Sequence, residues 1–166
     1  MTAYSSTVDT PIGPFTAVVG DDGAVLAAGW TDRLELLLPV VAPRLRPVEV
    51  TLRPDLGEVT AAVRDYHAGD LAAIDGIPVR QASGPFIAHA WEVLRTVPPG
   101  KSTTYTDFAA LAGRPDAIRA AAAACARNAV ALFVPCHRIV GTDGTLRGFR
   151  WGLEIKRWLL DHEAAG

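Results

Sequence analysis

The stretch Ala129-Val130-Ala131-Leu132-Phe133-Val134-Pro135-Cys136-His137-Arg138-Ile139-Val140 decides how this chain is read. The uninterrupted apolar run from Ala129 to Val134 reads as a short buried strand. Pro135 cannot continue a hydrogen-bonded ladder, so it stops the run and turns the following residues outward. A thiol is thereby held on a rigid turn with a potential base beside it, which is what a reactive nucleophile requires. The competing reading is an inert buried cysteine next to a solvated histidine, and the rest of the chain has to decide between them.

Outward from this motif, the second half of the sequence has a helical pattern. Phe86, Ala90, Trp91 and Leu94 share one face of a helix predicted over 86–96, which Pro98-Pro99-Gly100 ends. The segment 104–111 predicts a short helix closed by Gly113, and Pro115-Asp116 opens another running to about Arg127. Two short helices around a glycine-containing turn make a candidate helix-turn-helix. The run Ala120 to Ala124 combines high helix propensity with little bulk, so this helix can lie close to another surface. That surface is either the protein's own interior or DNA. A final helix is expected over 153–163.

The first thirty residues read as β-structure. Runs 4–8, 15–19 and 25–30 are separated by the turn signals Asp9-Thr10-Pro11-Ile12-Gly13-Pro14 and Gly20-Asp21-Asp22-Gly23. The apolar run 34–41 is expected to be helical, as is 56–67, ending at Gly69. Loop and strand material over 70–85 holds the expected domain boundary. The fold class expected is α+β. A small sheet-with-helix support domain (1–80) precedes a mostly helical domain (81–166) that carries DNA binding and chemistry.

Composition bounds the function. At 166 residues, 49% hydrophobic, the chain has enough apolar material for a true core. Cys125 and Cys136 are the only cysteines and form no CxxC pair, so neither a disulfide scaffold nor a zinc site is supported, and no metal or cofactor is expected. No apolar segment is long enough to span a bilayer, and the opening Met1-Thr2-Ala3-Tyr4 lacks the form of a signal peptide. A reduced, cytoplasmic location with no membrane partner is expected. Charge is unevenly spread: residues 1–100 carry seven Arg against twelve Asp or Glu, whereas 101–158 carry nine Lys or Arg against four acids. A polyanion meeting only the second half would suit that asymmetry.

With these residues in view, the chain resembles the O6-alkylguanine-DNA alkyltransferases, the methylated-DNA–protein-cysteine methyltransferase family. Pro135-Cys136-His137-Arg138-Ile139-Val140 resembles their active-site motif. Arg119 lies seventeen residues before the cysteine, where the family carries a recognition-helix arginine, and Tyr105 lies fourteen residues before that. Asn128 stands eight residues before Cys136, and Glu163 twenty-seven after it. Gly148-Phe149-Arg150-Trp151-Gly152 resembles the base-pocket loop of the adaptive-response (Ada-type) members, and Thr10-Pro11-Ile12-Gly13-Pro14 their opening hairpin.

The resemblance implies methyl transfer from O6-methylguanine, and O4-methylthymine, in double-stranded DNA to Cys136, once per molecule. It assigns His137 as base, Glu163 as its orienter and Asn128 as the residue pinning the turn, with a plain structural cap as the alternative for Asn128. Tyr105 is expected to donate to guanine N3, the Arg150 backbone N–H to face O6, and the Cys136 and Ile139 carbonyls to read the exocyclic amine. Phe149 and Trp151 complete the pocket wall. Arg119 is expected to fill the space left by a nucleotide rotated out through the minor groove, with Thr104, Ala117 and Ala120 beside the DNA. Lys101, Arg114, Arg127, Arg147 and Arg157 are candidate phosphate contacts, and Arg138 reads as structural. Phe149 stands where many members have tyrosine, and Trp151 where several have glycine. A monomer is expected. Two other classes compete: a module that binds alkylated bases without repairing them, and a cysteine hydrolase or thiol peroxidase with Cys125 as resolving thiol.

Overall fold

A computed structural model describes residues 1–166, which divide into two compact units. The first comprises Met1–Ala82 together with Ala129–Phe133; the second comprises Ser83–Asn128 and Val134–Gly166.

The first unit is built on a four-stranded sheet of β1 (Thr2–Thr10), β2 (Gly13–Val19), β3 (Val25–Gly29) and β4 (Glu49–Leu52), in the order β3-β2-β1-β4. β1 and β2 form an antiparallel hairpin in which Thr10 faces Gly13. Its turn needs Gly13, whose φ of +109° is open to a residue without Cβ. Thr10 Oγ1 stitches the turn, donating to the Gly13 carbonyl at 2.7 Å and accepting from the Ile12 N–H at 3.2 Å. β4 pairs parallel with β1, and the sequence patterns did not reveal it, because all four residues are polar or exposed to some degree. The outer edge of β3 is closed by two passing segments: Val25 N–H donates to the Pro78 carbonyl, and Ala28 N–H to the Ala129 carbonyl.

Helix α1 (Glu58–His67) buries Val59, Thr60, Ala62, Val63, Tyr66 and His67. An aromatic cluster of Phe15, Trp30, Tyr66, His67 and Phe133 forms around it, with edge-to-face ring pairs such as Phe15–Trp30 at 5.0 Å. The polar atoms inside this cluster are paired. His67 Nδ1 donates to the Val63 carbonyl at 2.7 Å, leaving Nε2 to accept from Trp30 Nε1 at 3.3 Å.

Two expectations need correction here. The run 34–41 is not a helix but two 3-10 turns, Leu34–Leu36 and Leu38–Val40, because Pro39 removes a donor and breaks any longer ladder. The apolar run 129–134 is buried as expected, yet it is not a strand. Only Val130 forms a bridge, to Ala28. Leu132 then adopts φ +73°, a left-handed conformation that costs an L-residue about 1–2 kcal/mol and that no other non-glycine residue here adopts. Its side chain, 1% exposed, offsets that cost by burial.

The second unit contains α2 (Pro85–Leu94), β5 (Thr103–Thr104), α3 (Tyr105–Leu111), α4 (Ile118–Ala126), β6 (Ile139–Val140) and α5 (Leu153–Ala165). The buried face of α2 is Ile87, Ala90, Trp91 and Leu94, so Ile87 takes the place expected for Phe86. Trp91 Nε1 donates to the Ala124 carbonyl of α4 at 2.8 Å, an approach that the small side chains Ala121 and Ala124 permit. α3 begins under a side-chain cap, Thr104 Oγ1 accepting from the Asp107 N–H at 3.1 Å. Gly113, at φ +90°, turns the chain from α3 toward α4. The parallel pair β5–β6 sets Thr103 beside Ile139 and Thr104 beside Val140, bringing the start of α3 next to the end of the cysteine motif.

Replacing His67 with leucine removes the acceptor from buried Trp30 Nε1. Stability measured by denaturant titration should fall by about 1–3 kcal/mol, whereas His89→Leu, on the exposed face of α2, should leave the midpoint almost unmoved.

Candidate active site

After Pro135 the chain makes a 3-10 turn, Cys136–Arg138, whose three residues are all buried. Cys136 keeps 8% exposure, Arg138 2% and His137 none. Asn128, just beyond α4, pins the turn: its Nδ2 donates to the Val134 carbonyl at 2.8 Å and to Cys136 Sγ at 3.3 Å. One amide therefore fixes the backbone and reaches the sulfur.

His137 Nε2 lies 2.8 Å from Glu163 Oε2. Burial alone would push the Glu163 carboxyl up, but the hydrogen bonds from His137 and Arg138 and the Arg138 charge outweigh it and hold it at about 2. Against an ionised carboxylate, Nε2 carries the proton and donates it, so Nδ1 is the basic nitrogen. That Nδ1 is buried and has no hydrogen-bond partner within the protein. Burial pushes the His137 imidazole down despite the pull of Glu163, so at rest it is neutral and able to accept a proton.

Arg138 does more than the sequence reading allowed. Its Nε approaches Glu163 Oε1 at 3.0 Å, its Nη2 approaches Oε2 at 3.0 Å, and its Nη1 donates to the Val97 carbonyl at 2.7 Å. This forked pairing fixes both carboxylate oxygens and leaves one of them angled at the imidazole.

Burial pushes the Cys136 thiol up, opposed by the Asn128 hydrogen bond and by the Lys156 and Arg150 charges. Lys156 was missed in the sequence. It is 1% exposed on α5, with Nζ donating to the Ile139 carbonyl at 2.7 Å and weakly to the Arg147 carbonyl at 3.4 Å. The signal was present as spacing, because Lys156, Leu159 and Glu163 fall on one buried face of α5.

Tyr105, the first residue of α3, is half-buried, and burial, followed by the nearby Cys125 and Cys136 sulfurs, pushes its hydroxyl up to about 12. It therefore stays protonated and available as a donor. Ile139 is fully buried on β6, while Phe149 and Trp151 are half-buried and Arg150 exposed in the segment leading to α5. Arg150 Nη2 donates to the Ala126 carbonyl at the end of α4, 2.5 Å away. Arg119 is exposed in the first turn of α4, Ala117 immediately precedes that helix, and Ala120 is half-buried. Lys101, Arg114, Arg127, Arg147 and Arg157 are all exposed. Thr104 serves as the α3 cap described above.

A family model described as the DNA-binding domain of 6-O-methylguanine DNA methyltransferase matches residues 85–165, the segment that holds every residue of this site. The fold and site thus define a DNA-binding domain of the methylguanine methyltransferase class, with the buried Cys136 turn at its centre. A methylated-DNA–protein-cysteine methyltransferase of Salmonella typhimurium is 37% identical, over 94% of this chain and 92% of its own length. The constitutive enzyme of that name in Bacillus subtilis is 32% identical over 96% of this chain and 94% of its own. The crystal structure of Mycobacterium tuberculosis OGT in complex with DNA superposes with a TM-score of 0.80 at 28% identity, covering 98% of this chain and 93% of that one. The chain belongs to the methylated-DNA–protein-cysteine methyltransferase family.

Glu163→Gln leaves the Arg138 guanidinium buried without its counter-charge, and should cost about 3–5 kcal/mol at neutral pH. The carboxyl falls from an ordinary value of 4.5 to about 2 on folding, so its stabilising contribution is complete above pH 4.5. That contribution is lost as pH drops toward 2. Urea titrations at a series of pH values should show wild type and variant converging over that window.

Proposed function

We propose that this protein repairs double-stranded DNA directly, moving the methyl group of O6-methylguanine, and of O4-methylthymine, onto Cys136. The observation that carries the reading is the buried imidazole of His137, next to Cys136 in the chain and paired with Glu163. Its Nε2 is tied to an ionised carboxylate 2.8 Å away, and its Nδ1 is left to take a thiol proton.

Displacement at a saturated carbon needs a thiolate and a leaving group that can hold charge. Cys136 loses its proton to His137 Nδ1 through a bridging water, since adjacent residues on a tight turn do not face each other. Glu163 holds the imidazole in the required tautomer and steadies its positive charge. The sulfur then attacks the methyl carbon, forming S–C as C–O breaks, and the electron pair passes to the guanine ring. Tyr105, protonated throughout, donates to guanine N3, while the Arg150 backbone N–H faces O6. The Cys136 and Ile139 carbonyls read the exocyclic amine, and Phe149 and Trp151 wall the pocket. The balance is one methyl group exchanged for one proton, and the thioether formed has no easy route back to thiol. Each molecule acts once.

The target atom lies inside the base stack, so the nucleotide must turn out at a cost of a few kcal/mol. Helices α3 and α4 act as a helix-turn-helix placed in the minor groove. Arg119 enters the vacated space, with Thr104, Ala117 and Ala120 against the strand. The exposed cations around them neutralise phosphates. Residues 81–166 carry this work and 1–80 support it, in a cytoplasmic monomer that needs no cofactor.

Incubation with a duplex containing one O6-methylguanine should raise the intact protein mass by one methyl in place of one hydrogen, located on the Cys136 peptide. Continued turnover or a label elsewhere would sink the proposal, and Cys136→Ala should take up nothing. Arg119→Ala should slow transfer from duplex by at least about tenfold while sparing reaction with the free base, because it removes the group that replaces the extruded nucleotide. The Trp151 indole at the pocket rim should make O6-benzylguanine react far more slowly than O6-methylguanine, and Trp151→Gly should narrow that gap.

A further inference from the structure

The end of α4 is where the pocket wall and the nucleophile's support meet. The last carbonyls of this helix are each taken by a different element. Trp91 Nε1 donates to Ala124 O at 2.8 Å, Asn128 N–H to Cys125 O at 3.3 Å, and Arg150 Nη2 to Ala126 O at 2.5 Å. Two residues past Ala126 stands Asn128, whose side chain reaches Cys136 Sγ. The helix end concentrates partial negative charge, and a guanidinium is well suited to it.

The segment that carries Arg150 is held by local bonds and by attachments to neighbouring elements. Between Gly141 and Gly152 its bonds are mostly local: Gly141 N–H to Thr145 O, Asp143 Oδ1 accepting from the Thr145 N–H and hydroxyl, and Gly152 N–H to Phe149 O. The outside attachments are the Thr106–Thr142 hydroxyl pair, the 3.4 Å bond from Lys156 Nζ to Arg147 O, and the Arg150 side chain. The Arg150 attachment lies within the stretch 149–151 that walls the pocket.

We infer that the Arg150 side chain is a positioning residue for alkyl transfer: seated on the Ala126 carbonyl, it fixes the pocket wall to the helix end that orients Cys136. This rests on the function proposed above, and gives the Arg150 guanidinium a role separate from that of its backbone N–H. Its charge also favours the Cys136 thiolate. The groups that act on Cys136 are Lys156 from α5, Cys125 from α4, Tyr105 from α3, Asn128 beyond α4 and Arg150 from the loop. Arg150 and Lys156 are the cations among them that favour the thiolate.

The test uses the full chain as wild type, Arg150→Ala, Arg150→Gln and Arg150→Lys. Two readouts are taken: the rate of methyl transfer at saturating methylated duplex, and the pH midpoint for Cys136 alkylation by iodoacetamide without DNA, followed on the Cys136 peptide. Arg150→Ala should lose about tenfold in saturating transfer rate, the scale of one charge-assisted hydrogen bond, and should raise the alkylation midpoint. Arg150→Gln should also raise the midpoint, and Arg150→Lys, which keeps the charge, should return it toward wild type. An unchanged transfer rate and midpoint in Arg150→Ala would overturn the inference. So would a loss confined to DNA affinity with a salt slope lowered by about one, the mark of a phosphate contact. If wild type takes up no methyl group, the proposed function fails instead, and the iodoacetamide midpoints still report on Arg150.

Discussion

The geometry of the site depends on one buried carboxylate. Glu163 comes from the last helix, yet its two oxygens organise the turn that carries Cys136. Arg138 clamps both of them, and His137 shares one. A carboxylate sealed at 2% exposure is tolerable only because a full counter-charge and a further donor meet it. Arg138 is in turn bonded to the Val97 carbonyl, so the chain between α2 and β5 is bound into the same network. The imidazole is thereby locked in position, with Nδ1 left unprotonated and unpaired.

That arrangement resolves an apparent conflict between reactivity and burial. Burial opposes thiolate formation at Cys136, and it equally opposes a protonated His137. Both groups are therefore neutral at rest, with the fixed charges of Glu163 and Arg138 cancelling beside them. An enzyme consumed by a single event gains from a sulfur that is not indiscriminately reactive. The Asn128 amide, Lys156 and Arg150 then favour the sulfur anion once it forms.

The alanine-rich helix shows how one pattern answers two demands. Ala121 and Ala124 are buried, and their lack of bulk lets Trp91 reach a main-chain carbonyl of the helix. Ala120, Ala122 and Ala123 are half-buried, leaving a low face that suits a narrow groove. The sequence offered interior packing and DNA as alternatives for this run; packing on α2 is plain, and it occupies only part of the circumference.

The sequence by itself determined the β-hairpin at the start and the helices of the second half. These follow from local rules: a proline that ends a run, a glycine that admits a positive φ, an apolar stripe at helical period. It misjudged residues 34–41 and 129–134, where composition is apolar but Pro39 and the left-handed Leu132 prevent a regular element. It missed β4, whose four residues alternate polar and apolar over too short a span to stand out, and whose apolar residues stay largely exposed. It also undervalued Arg138 and overlooked Lys156, because the worth of a buried charge lies in what it meets. Only the tertiary structure decided that the carboxylate of the last helix closes on the Cys136 turn, since ion pairs and hydrogen bonds depend on distance through space and leave no period along the chain.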